Sequence, residues 1–195
     1  MRIPWGRRWK RRSRFSAPPS PLSKPWGVSI KSEFPGSAKE MLELSLHIMD
    51  LVQNSLVAGA KRVEIRIVES LAEDRLIIEI QDDGQGIPEE MLSRVTDPFV
   101  TSRKARAVGL GLPLFKNAAE RCGGGMEVHS EMGRGTRVLA WFRLDHLDRA
   151  PLGNIGETMG ILITGNPRVD FVYEQRVDGK TYRLETPEMK EVLGS

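Results

Sequence analysis

Residues Leu42 to Ala60, LELSLHIMDLVQNSLVAGA, decide how the rest of this chain is read. Leu42, Leu46, Met49 and Leu56 share one side of a helical wheel, and Ile48, Leu51 and Val52 widen that apolar surface. This is the 3.6-residue period of a helix with a broad buried face. His47, Asp50 and Asn54 follow one another at a turn's spacing, so their side chains project along one side. Asp and Asn are weak helix formers because their short polar groups compete for the backbone. Two of them inside a good helix mark a polar seam that meets something. Gly59 suits the left-handed cap that ends a helix, and Ser37 is a candidate cap at its start.

A chain of 195 residues with 39% hydrophobic and 28% charged residues fits a soluble globular protein large enough to bury a core. A single cysteine, Cys122, excludes an internal disulfide, offers no thiolate metal cluster and points to a reducing cytoplasm. No apolar run approaches a membrane span. The net charge of +3 conceals an asymmetry. Residues 1–35 hold nine of the 29 Lys and Arg but one acid, Glu33, which leaves 20 bases against 25 acids in the remainder. Residues 1–36, rich in Arg, Ser and Pro and lacking an apolar period, are expected to form a disordered basic tail. Its readings are an arm for nucleic acid or an anionic membrane, an organelle transit peptide, or a dispensable extension upstream of Met41. It is not a secretory signal, since Pro and Ser stand where the apolar core would be.

After the helix, Lys61–Glu69 alternates apolar and charged residues as a half-buried strand does, and Arg75–Ile80 is a second strand. A short turn at Glu73-Asp74 makes the two an antiparallel hairpin. Gln81-Asp82-Asp83-Gly84-Gln85-Gly86-Ile87 follows, a tight loop whose glycines mark a close approach of the backbone. Pro88 opens a short helix, PEEMLSRV, with Glu89 and Glu90 favourable at its start. The segment from Asp97 to Val108 carries three positive charges and reads as a loop. Gly109-Leu110-Gly111-Leu112 opens a helix through Arg121, ended by Gly123-Gly124-Gly125. Met126–Glu131 and Thr136–Leu144 form a further hairpin around Met132-Gly133-Arg134-Gly135. Glycine-rich corners at three places with a basic loop beside one suit a phosphorylated ligand, because N–H groups at a helix start attract phosphate.

The order of these motifs, over Met41 to Leu144, resembles the ATP-binding domain shared by gyrase, heat-shock chaperone ATPases, sensor histidine kinases and mismatch-repair ATPases. That resemblance implies an α+β fold: a two-layer α/β sandwich of the Bergerat type, its mixed, mainly antiparallel sheet covered by helices on one face. HIMDLVQNSLVAGA is similar to the family's Asn motif and implies that Asn54 binds Mg²⁺ through its side-chain oxygen, as a hard cation requires. DDGQGI resembles the glycine motif whose first acid, Asp82, accepts from the adenine amino group, with Gly84 and Gly86 letting the base lie against the backbone. DPFVTSR resembles the kinase branch's Phe motif, with Phe99 and Thr101 at the start of a lid. GLGL matches the second glycine motif, with Gly109, Gly111 and Leu112 near the phosphates, and GRGT matches the third, with Thr136 near the adenine. Arg103, Lys104 and Arg106 are lid cations within reach of the phosphates, and which of them engages stays open. The implied ligands are ATP and Mg²⁺.

The residue four before the metal-binding Asn carries the family's catalytic choice, and here it is Asp50. A carboxylate there serves as a general base on water or a protein hydroxyl, or organises metal-bound water. The resemblance implies a cytoplasmic protein kinase or ATPase in phosphorelay signalling or regulation, acting on an unidentified protein partner, with a homodimer as candidate assembly and nucleic acid confined to the basic tail. The alternatives are a non-catalytic ATP-sensing module and a serine/threonine kinase like those that act as anti-sigma factors. His146-Leu147-Asp148-Arg149-Ala150-Pro151-Leu152 repeats part of the phosphoacceptor pattern but lacks the acid after His, and reads as a linker. Three regions are expected: the tail, residues 1–36; the ATP-binding domain, 37–145; and a small C-terminal α/β appendage, 146–195. In the appendage 154–164 is either helix or strand, Val169–Arg176 and Thr181–Glu185 form a hairpin around Asp178-Gly179, and PEMKEVLG is a terminal helix.

Overall fold

A computed structural model describes residues 43–92, 94–95 and 111–193. The organising stretch is α1, Leu44–Val57, buried through Leu44, Ile48, Leu51, Val52 and Ser55. That face is rotated from the one read off the sequence, since Leu46 is 43% exposed and Met49 and Leu56 are only partly buried. The helix closes as a Schellman cap: Gly59 has φ +77°, its N–H donates to Leu56 O, and Ala60 N donates to Ser55 O. At the other end Glu43 makes no side-chain cap. Leu44 N and Ser45 N donate instead to the carbonyls of Pro151 and Leu152, both at 2.9 Å. Two of the four amides that a helix start leaves unsatisfied are therefore held by a segment a hundred residues later. Ser37, the expected cap, lies outside the described residues.

The two expected hairpins are present. β1 (Arg62–Ser70) and β2 (Arg75–Asp82) pair antiparallel, as do β3 (Gly125–Glu131) and β4 (Gly135–Arg143). Between them lie a single turn, α2 (Glu89–Leu92), and α3 (Gly111–Arg121). The undecided stretch after Asn154 is helix, α4 (Ile155–Gly165). Asn154 caps it by accepting from Glu157 N at 3.0 Å, and Thr158, Met159 and Leu162 are buried. β5 (Asp170–Val177), β6 (Lys180–Glu185) and α5 (Thr186–Leu193) complete the order. Asp178 and Gly179 both take positive φ, which the two-residue hairpin turn demands.

The six strands form one sheet in the order β3-β4-β2-β1-β5-β6, antiparallel except for the parallel pair β1·β5. The architecture is thus the expected α+β sandwich with a mixed, mainly antiparallel sheet. The C-terminal strands are continuous with that sheet, since Val63 stands opposite Phe171 and Ile65 opposite Tyr173. One side of the sheet, carrying Val63, Ile65, Ile67, Leu76, Ile78, Ala140, Phe142 and Phe171, shares its core with the buried faces of α1, α3 and α4. Each of these side chains larger than Ala140 contributes ~1.5–3 kcal/mol when fully buried. On the other side, Arg137, Glu79, Arg66, Glu174 and Arg183 alternate in charge across five strands. Glu79 and Glu174 are almost fully buried by the guanidinium groups around them.

Candidate nucleotide-binding site

α1, the end of β2, its following loop and β4 enclose a cavity of about 220 Å³. Leu51, Asn54, Ser55 and Ala58 reach it from α1 at helical spacing. Ile80 and Asp82 come from β2, Thr136 and Val138 from β4, Leu112 from α3, and Gln85 to Pro88 with Met91 form the remaining wall. The lining is mostly apolar with a few convergent polar groups, as befits a pocket for a flat, partly polar ring.

The most constrained polar group is Asp82, 9% exposed. Its Oδ1 accepts from Gly84 N at 2.9 Å and Thr136 N at 3.3 Å, and its Oδ2 accepts from Ser55 Oγ at 2.6 Å. The neighbouring Asp83 does different work: it is exposed, and its Oδ1 accepts from Lys61 N and Arg62 N, fixing the start of β1. The loop between is stitched on both sides, Gln85 N donating to Ala58 O and Gly133 N to Gln85 O. Gly86 shows why the corner needs glycine. Its φ is +76°, and a Cβ there would overlap the backbone carbonyl of Glu131. Thr136 Oγ1 shares a 2.9 Å hydrogen bond with Ser130 Oγ, which also accepts from Ile87 N.

Asn54 is half-buried, and its amide nitrogen is buried without a hydrogen-bond partner among the described residues. Asp50, one turn earlier, lies against the first residue of α3, for a Cβ on Gly111 would overlap Asp50 Oδ2. His47 leaves the seam expected for it. It is 4% exposed, tilted onto Phe115 with ring centroids 5.3 Å apart, and burial lowers its pKa to about 4. The packing of α3 on α1 turns that position into core.

The family described as "Histidine kinase-, DNA gyrase B-, and HSP90-like ATPase" matches residues 41–146, just over half of the chain. The chain belongs to this ATPase family. Among curated relatives it is 32% identical over 111 residues to the alginate biosynthesis sensor protein KinB of Pseudomonas aeruginosa, covering 56% of this chain and 19% of that protein. It is 35% identical over 91 residues to sporulation kinase D of Bacillus subtilis, covering 47% of this chain and 18% of the kinase. The chain therefore spans about a fifth of the length of these relatives. Among solved structures it is similar to the Aquifex aeolicus MutL ATPase domain complexed with ADP, at TM-score 0.51 and 20% identity over 80% of this chain and 70% of that one. This likeness concerns the fold.

Of the residues the ATPase resemblance singled out, Asn54, Asp82, Gly86, Leu112 and Thr136 line this cavity together. Gly84 lies behind Asp82, buried against its carboxylate and Ala58, and Gly111 abuts Asp50. Thr101, Lys104 and Gly109, with Phe99, Arg103 and Arg106, lie outside the described residues. Sequence reasoning missed Ser55, although its spacing from Leu51 and Ala58 placed it on the cavity face.

A hard cation fits Asn54. Its unpartnered nitrogen leaves the amide free to turn its oxygen outward, and Mg²⁺ takes one or two protein oxygens beside water and phosphate. No cluster of three or more His, Cys, Asp or Glu suited to a metal occurs among the described residues, so a cation held here depends on that mixed shell. Among the described residues no helix is long and apolar enough to cross a membrane.

Proposed function

We propose that this chain is a Mg²⁺-dependent ATP-binding protein that acts in the cytoplasm as a soluble protein kinase or ATPase on a partner protein, in signalling or regulation. The observation that carries the reading is Asp82: a carboxylate fixed by three donors at the wall of an apolar cavity, with one face left for a ligand. A purine amino group satisfies that acceptor, while Ile80, Val138, Leu51 and Met91 enclose the ring. The triphosphate then runs toward Asn54 and the start of α3, where helix amides favour negative charge. Bound through Asn54, Mg²⁺ would neutralise phosphate charge. Asp50 stands one turn from Asn54 on the same helix, where its carboxylate can take the proton of an attacking water or protein hydroxyl.

The names of its relatives, a sensor protein and a sporulation kinase, favour transfer to a protein. In this reading residues 37–145 form the ATP-binding domain and 146–195 extend its sheet. Titration calorimetry with Mg-ATP tests binding, and labelled ATP then separates label on a partner from free phosphate. Asp50→Asn should spare binding and lower turnover ~10²-fold or more. Full turnover in that variant would reject the base role, and absence of adenine-nucleotide affinity would reject the whole reading.

A further inference from the structure

Resting on the nucleotide-binding reading, we propose that the Ser55 hydroxyl is a positioning group that makes Asp82 selective for purines bearing an amino rather than an oxo group. Ser55 is 5% exposed, in the last turn of α1, and its Oγ lies 2.6 Å from Asp82 Oδ2 across 27 residues of sequence. A serine hydroxyl has one proton and two lone pairs. Its other acceptor, Leu51 O, is 3.4 Å away, so the proton belongs to the carboxylate.

An ionised carboxylate has about four lone-pair sites. Gly84 N and Thr136 N take the two on Oδ1, and Ser55 takes one on Oδ2. What remains is a single acceptor site on Oδ2, and both Ser55 and Asp82 line the cavity. With its proton spent on Asp82, Ser55 also turns only lone pairs to the cavity. The part of the wall made by Asp82 and Ser55 therefore presents acceptors alone. A 6-amino purine pairs with it; a 6-oxo purine sets oxygen against oxygen and leaves a buried acceptor unmatched. Without Oγ, no protein donor among the described residues holds Oδ2, which can then swing while the two amides still hold Oδ1.

Calorimetric titrations of the full chain with ADP and with inosine diphosphate, for the native protein, Ser55→Ala and Ser55→Thr, test this. Ser55→Ala should weaken ADP about tenfold, the worth of one hydrogen bond to a charged group, while moving inosine diphosphate little. The preference for the amino purine then falls by the same factor, and Ser55→Thr, which keeps the hydroxyl, restores it. An unchanged preference in Ser55→Ala, or equal weakening of both nucleotides, would reduce Ser55 to a packing residue and overturn the proposal. The same preference in the Thr and Ala variants would also overturn it. Native protein that binds neither nucleotide would instead overturn the nucleotide-binding reading on which the proposal stands.

Discussion

Asp82→Asn replaces one oxygen by an amide without changing shape, and its consequences can be worked through donor by donor. The amide oxygen keeps the hydrogen bonds from Gly84 N and Thr136 N. The new NH₂ faces Ser55 Oγ, whose proton swings to Leu51 O and whose oxygen now accepts. Folding therefore keeps three hydrogen bonds and loses their charge assistance, partly offset by no longer burying a charge, for a net ~1–2 kcal/mol. Binding loses far more, because the cavity's acceptor has become a donor opposite the purine amino group. A missing hydrogen bond to a charged acceptor is worth ~1.5–3 kcal/mol and a stranded donor a further ~1–3. Together these raise Kd for ADP by roughly two to four orders of magnitude, at ~1.4 kcal/mol per tenfold. Titration calorimetry measures this directly, with thermal melting of the free protein as control for folding. A variant that melts normally and binds ADP within threefold of the native protein would refute the placement of the base at Asp82.

Three further predictions follow from the same geometry. Gly86→Ala pairs a left-handed backbone with overlap on Glu131; it should cost ~2–4 kcal/mol and lower the melting temperature by roughly 5–10 °C, and a shift below ~2 °C would show that the corner relaxes. Burial holds the His47 pKa at about 4, below its ordinary value of 6.5, so the unfolded chain binds the extra proton first as pH falls. Stability should therefore decline from pH 6.5 down to about 4, by up to ~2–3 kcal/mol, and His47→Leu should remove that part of the slope in urea unfolding measured across the range. Glu174 lies within 2.8 Å of Arg176, 3.4 Å of Arg66 and 3.7 Å of Arg183. Glu174→Ala should lower the urea midpoint by the equivalent of ~1–3 kcal/mol, and a neutral result would show that these partly exposed arginines solvate without cost.

Much of the fold was legible because its signals are local. Alternation marked β1, glycine-bearing turns bracketed the β3–β4 hairpin, and the Asp178-Gly179 turn fixed the last one. The helix face was read one step off because Leu46 and Leu44 are equally apolar, and only the packing of α3 and α4 chooses between them. α4 was ambiguous because glycines opposed a helix that Asn154 and three buried side chains then secured. The parallel pairing of β1 with β5 left no trace, since its partners are about a hundred residues apart and any apolar strand would satisfy the alternation. At the site, Asp82 and Asn54 stood out because carboxylate and amide are unusual where they occur. Ser55 did not, since a serine inside a helix looks ordinary until its partner across the fold is seen.

The tie between the start of α1 and residues 151–152 sets a timetable for the newborn chain. Synthesis delivers Asp50, Asn54 and Ser55 early, yet two amides of their helix wait for carbonyls made about a hundred residues later, and β1 waits longer still for β5. At ~5–20 residues per second, that is several seconds during which the ribosome holds a half-built pocket. A ribosome stalled before Pro151 would release a chain whose first helix lacks two of the hydrogen bonds at its start.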